Sequence, residues 1–167
     1  MNLSRLGLQT YLQDHLAASV AAVDLMAHLL QSKPSKDEEA MLLQLKAEVE
    51  EDRTLVEEVL TAQGGASSHI KGAGAWVVEK ISRVKLWTSK QETEALFWLQ
   101  AYEALCLALR GKTALWRLLC AEGAPELPGT PKKSFEQRAL RSESQEARVE
   151  TARVQAGLTV MATGAAP

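Results

Sequence analysis

The chain has 167 residues, 46% hydrophobic and 24% charged, which suits one domain with a core large enough to fold without staples. Nineteen Lys and Arg against 21 Asp and Glu leave a formal charge of −2, so no one-sided field points to nucleic acid or an anionic membrane surface. No stretch reaches the roughly 18 apolar residues of a membrane span, and the polar-broken start MNLSRLGLQTYLQDHL does not read as a secretory signal, so a soluble, cytoplasmic protein is expected.

Taken in order, the pattern predicts a first helix over about 4–31. Leu8, Leu12, Leu16, Ser19, Val23, Met26 and Leu30 recur on one face, at helical spacing. Thr10, Asp14, Asp24 and His28 fall on the other side, and Lys33-Pro34 ends the helix because Pro disfavours a helical residue before it. A second helix, about 36–63, opens on Ser35 and Glu38, a capping-box spacing, with Asp37, Glu38 and Glu39 at the positive end of the dipole. Leu42, Leu45, Val49, Val56 and Val59 carry its buried stripe, and Gly64-Gly65 stops it.

After a loop containing His69, a short amphipathic helix is expected over 75–87, with Trp76, Val77, Ile81 and Val84 inward and its lysines in water. A third long helix, about 90–121, starts at a second capping pair, Ser89 and Glu92. It places Trp98, Tyr102, Leu105, Leu109 and Trp116 on one line and Phe97, Ala101, Ala104, Ala108 and Gly111 on a line beside it. An apolar arc that wide needs two or three neighbours. Cys106 and Cys120 share this helix at a separation of about 21 Å, too far to bridge each other, which favours a reducing compartment or buried inert thiols. The Gly- and Pro-containing segment 121–133 then leads, through Thr130-Pro131 as cap and first position, into a fourth helix over about 131–161.

Four long helices with short links inside each pair make an all-α four-helix bundle. Roughly 27 residues lie between helices two and three, far more than adjacent helices need. In helix lengths and in this long middle crossover the chain resembles the ferritin-like superfamily. That resemblance implies two helical hairpins joined by a crossover, here with a short extra helix in it; an up-down bundle with a helical insertion is the competing topology. Metal-binding members of the superfamily carry inward carboxylates and Glu-x-x-His pairs. The three histidines here, His15, His28 and His69, are preceded three residues earlier by Leu12, Leu25 and Ala66, so no family ligand is carried over.

Several polar residues nevertheless fall on apolar faces. His15 lies within the arc of helix one, and Glu48 and Asp52 share the stripe of helix two. On helix four the inward line Phe135, Ser142, Val149, Ala156, Val160 is flanked by Arg138, Gln145, Glu146 and Arg153. A buried carboxylate needs a cation or donors. One reading pairs Arg138 and Arg153 with Glu48 and Asp52 and brings His15 into the same network. The other gathers His15, Glu48, Asp52 and Glu146 around iron, manganese or zinc. Glu103, aligned with Arg110 and Arg117, reads as part of a solvated stripe. No phosphate loop, nucleophile elbow, paired-cysteine metal motif or nucleic-acid motif is present. The expected role is a non-catalytic scaffold or protein-binding module, with self-association or a protein partner. A metal-carboxylate enzyme and a small-molecule carrier are the alternatives.

Overall fold

The computed structural model describes residues 3–65 and 94–163. They form four helices, α1 (Leu3–Gln31), α2 (Lys36–Ala62), α3 (Glu94–Cys120) and α4 (Lys132–Thr163), packed as an all-α bundle. The expected helix over 75–87, His69 and the Ser89/Glu92 cap lie outside the described residues.

Local chemistry sets most helix ends. Ser35 accepts from the Glu38 amide while the Glu38 side chain accepts from the Ser35 amide, completing the capping box of α2. Gly64 follows α2 at φ 73°, a left-handed conformation that costs Gly little. Pro128-Gly129, with Gly129 at φ 79° and the Thr130 amide bonded to the Leu127 carbonyl, forms a type II turn before α4. Thr130 is the last residue of that turn, and α4 runs from Lys132, one position after the expected start at Pro131. It runs on to Thr163, two positions beyond the expected end, since no Gly or Pro interrupts the sequence after Gly157 until Gly164.

Helix directions follow from contacts at the two ends. At one end, Arg5 Nε donates to the Gln63 carbonyl at 2.7 Å, and Gln9 Nε2 donates to it at 2.6 Å. At the other, the His28 and Phe97 rings meet edge-on at 6.2 Å, and Tyr102 Oη donates to Glu38 at 2.9 Å. α3 therefore starts where α1 ends and runs parallel to α2. α4 returns antiparallel to both α2 and α3. The sense is up, down, down, up. His28, expected on a polar face, is half-buried because α3 covers that side of α1.

The core divides into two apolar clusters. One joins Leu25, Met26 and Leu29 of α1 to Leu45, Trp98, Tyr102 and Leu105. The other joins Leu12 and Leu16 to Val59, Leu60, Trp116 and Phe135. α3 contributes to both and touches α1 and α4 directly, as its wide apolar arc requires. The two described tryptophans, Trp98 and Trp116, are buried and so mark no external face. The exposed large apolar residues lie elsewhere, four of them on α4.

Candidate functional site

Between the two apolar clusters lies a polar layer. Asp52, Lys112, Thr113, Ser142 and Gln145 are all buried. Each interrupts an apolar stripe at the level where α2, α3 and α4 meet. Asp52 Oδ2 accepts from Lys112 Nζ at 2.6 Å, and Asp52 Oδ1 accepts from Arg138 Nη1 at 2.9 Å and from Arg141 Nη2. Lys112 also donates to Gln145 Oε1, and Gln145 Nε2 donates to Glu48 at 2.8 Å. Arg148 and Gln44 complete the surroundings of Glu48. At the outer edge, Glu51 accepts from Arg138 at 3.0 Å and from Arg141 at 2.5 Å. Lys112, Arg138, Arg141 and Arg148 thus face Glu48, Glu51 and Asp52, leaving one cation in excess.

Burial pushes the Asp52 carboxyl above the usual carboxylate range against the pull of Lys112 and Arg141. It pushes the Lys112 ammonium below its ordinary value against the attraction of Asp52. Both directions say that desolvation outweighs pairing, the balance common in buried ion pairs. Glu48 is nearer to solvent. Burial raises its pKa, but donation from Gln145, Gln44 and Arg148 outweighs that and holds it below the ordinary value.

Of the residues picked out by sequence, the structure brings Glu48, Asp52, Arg138 and Gln145 together. Arg153 is not with them. It pairs with Glu150 one turn away at 2.6 Å, because the antiparallel register sets Asp52 opposite Arg138 and Arg141, roughly 18 Å along α4 from Arg153. Glu146 lies on the opposite flank of α4 and accepts from Arg110 of α3 at 2.8 Å. His15 stacks edge-on against Tyr11 with ring centres 4.6 Å apart. It borders the polar layer across a cavity of about 30 Å³ that is also lined by Asp52, Lys112 and Trp116. Burial lowers its pKa to about 4. The alternative metal set of His15, Glu48, Asp52 and Glu146 is therefore spread over two separate flanks and a cavity wall. Among the described residues no group of three or more His, Cys, Asp or Glu is placed to hold a metal ion.

Three cations of the cluster escaped the sequence reading, as did Glu51 and Gln44 at its edge. Lys112 falls on the same helical line as Leu105, Leu109 and Trp116, so a lysine among core residues was the available signal. Arg141 and Arg148 each follow a recognised residue, Arg138 and Gln145, by three positions and share its flank.

On the α3 side of α4, the Cys106 thiol contacts Glu150 at 3.5 Å. Burial, followed by the neighbouring Glu150 carboxylate, pushes its pKa up to about 12. Cys120, at the end of α3, is half-buried, and neither cysteine is in a disulfide. A thiol reagent at pH 8 is therefore expected to modify Cys120 in the native protein, with Cys106 reacting only after denaturation. Two native thiols reacting at equal rates would contradict this arrangement.

Comparison with protein-family models, with curated proteins and with solved structures found no match. None of the described helices is long and apolar enough to cross a membrane.

Proposed function

We propose that this chain is a non-catalytic bundle of ferritin-like architecture that works as a scaffold or protein-binding module. The observation that carries this reading is a polar layer whose buried carboxylate is matched by cations of the chain itself. Metal-carboxylate bundles of this architecture place carboxylates inside the bundle, where bound metal supplies positive charge. Here Lys112, Arg138 and Arg141 supply it to Asp52, so both oxygens of that carboxylate already accept from cations. A further feature supports the ferritin-like part: the up, down, down, up sense of the four described helices.

The cavity beside the layer is about 30 Å³, roughly enough for one water and too small for an organic substrate. The roomier concavities are open grooves on the outside, such as the one of about 640 Å³ between Glu38, Trp98 and Ala156. A module of this kind presents surfaces and keeps its charged interior for internal cohesion.

Metal analysis of protein purified without chelator, with thermal melts in added iron, manganese or zinc, tests the reading. Metal well below one ion per two chains and an unchanged melting temperature are expected. A stoichiometric transition metal that raises the melting temperature, and whose binding is lost in Asp52→Asn, would overturn it.

A further inference from the structure

The outer face of α4 differs from every other part of that helix. Leu140, Ser144, Ala147, Thr151, Val154 and Leu158 follow one another at alternating spacings of four and three, and Met161 continues the row. All are exposed and none is charged. Leu140 is 67% exposed and Met161 64%. Leu140, Ala147, Val154 and Met161 are seven residues apart, with Ser144, Thr151 and Leu158 between them. That is the seam of a heptad pattern, and it runs for about 32 Å.

Two flanks of opposite charge border the seam. Arg141 and Arg148 lie on the α2 side, within the cluster that has one cation in excess. Glu143 and Glu150 lie on the α3 side. There Arg110, Arg117 and Arg153 face Glu143, Glu146 and Glu150, and Glu143 and Glu150 each stand one position before a seam residue, as Arg141 and Arg148 each stand one position after one. Glu143, Glu146 and Glu150 also line an open groove of about 340 Å³ alongside Ala147.

We infer that this face is where a second copy of the chain docks, α4 against α4 in parallel, about a two-fold axis running along the helices. In a parallel pair the α2 side of one copy meets the α3 side of the other. The cation-rich flank is then set against the carboxylate-rich groove at the same height, and this happens twice by symmetry. An antiparallel pair sets each flank against itself. Ser144, Ala147 and Thr151 let the helix axes come close in the middle, while Leu158 and Met161 supply apolar contact toward one end. A single helix-on-helix seam buries less than a standard stable interface, so the pair is a reversible dimer with a dissociation constant on the order of 10 µM. The inference names the partner for the binding-module reading. A dimer would stand even if a metal were found, so the two tests fail separately.

Sedimentation equilibrium of the full chain from about 1 to 200 µM tests the proposal. A monomer–dimer equilibrium is expected, weakened at least tenfold by Leu158→Glu and by Thr151→Arg, both at exposed positions that leave the melting temperature within about 2 °C of the parent. Orientation is read by oxidising Ser144→Cys in a Cys120→Ser background. A parallel pair links position 144 to itself in the other copy. An antiparallel pair centred on Thr151 links 144 only to Leu158→Cys. A monomer throughout, a dimer indifferent to both charge insertions, or crosslinking only between 144 and 158 overturns the proposal.

Discussion

Replacing Asp52 by Leu is expected to destabilise the protein by about 3–5 kcal/mol, read as a lower urea midpoint with an unchanged slope. The size follows from what is left behind. Lys112 is buried and keeps only Gln145 as a neutral acceptor, while Arg138 and Arg141 lose their inner acceptor and retain Glu51. Burial already holds the Lys112 ammonium below its ordinary pKa. Without Asp52 that pKa falls further, so the variant should regain stability as pH rises and Lys112 becomes neutral. Adding Lys112→Met to Asp52→Leu removes the stranded charge and should recover most of the loss, since an apolar pair of similar volume is often as stable as a buried ion pair. If the double variant is as unstable as the two single changes summed, the layer is held by something other than this pair.

The second large effect is a pH dependence centred on His15. Burial lowers its folded pKa to about 4 from an ordinary 6.5. The unfolded chain therefore takes up a proton as pH falls through 6.5, whereas the folded chain does so only near 4. Folding stability due to His15 is fully present above 6.5 and is lost as pH falls from there to about 4, by up to about 3 kcal/mol. The surroundings favour the neutral ring, since Lys112 and Arg53 share its cavity with Asp52 and the Tyr11 ring packs against it at a steep angle.

Carboxylates act over other ranges. Glu38 and Glu48 have lowered values, so their stabilisation is present above the ordinary glutamate range and is lost as pH falls below it. Asp52, with a raised value, works in the opposite sense: it favours the folded state as pH falls through its folded pKa. Comparison with His15→Gln isolates the imidazole. Urea midpoints of the parent should drop between pH 6.5 and 4.5, and those of the variant should stay nearly level. An equal drop in both would assign the effect to the acids.

Much of this arrangement was legible in the sequence because its causes are local. The capping box at Ser35, the stop at Gly64 and the apolar repeats act within a few residues, and so they fix where each helix lies and which stripe it buries. The same periodicity placed Asp52 and Glu48 on a buried face, and burial alone demands cations for them. Which cations answer was a different matter. Arg138, Arg141, Arg148 and Arg153 all border the inward line of α4, and their long side chains make any of them a plausible partner on a helical wheel. Only the antiparallel register of α4 against α2 chooses. It brings Arg138, Arg141 and Arg148 level with Glu48, Glu51 and Asp52 and leaves Arg153 beside Glu150. In the same way, the parallel run of α2 and α3 sets Lys112 against Asp52, sixty positions apart in the chain. The periodicity of each helix declared that charge would be buried. How far each helix slides along its neighbour is settled by packing across the whole bundle, and that decided which charges meet.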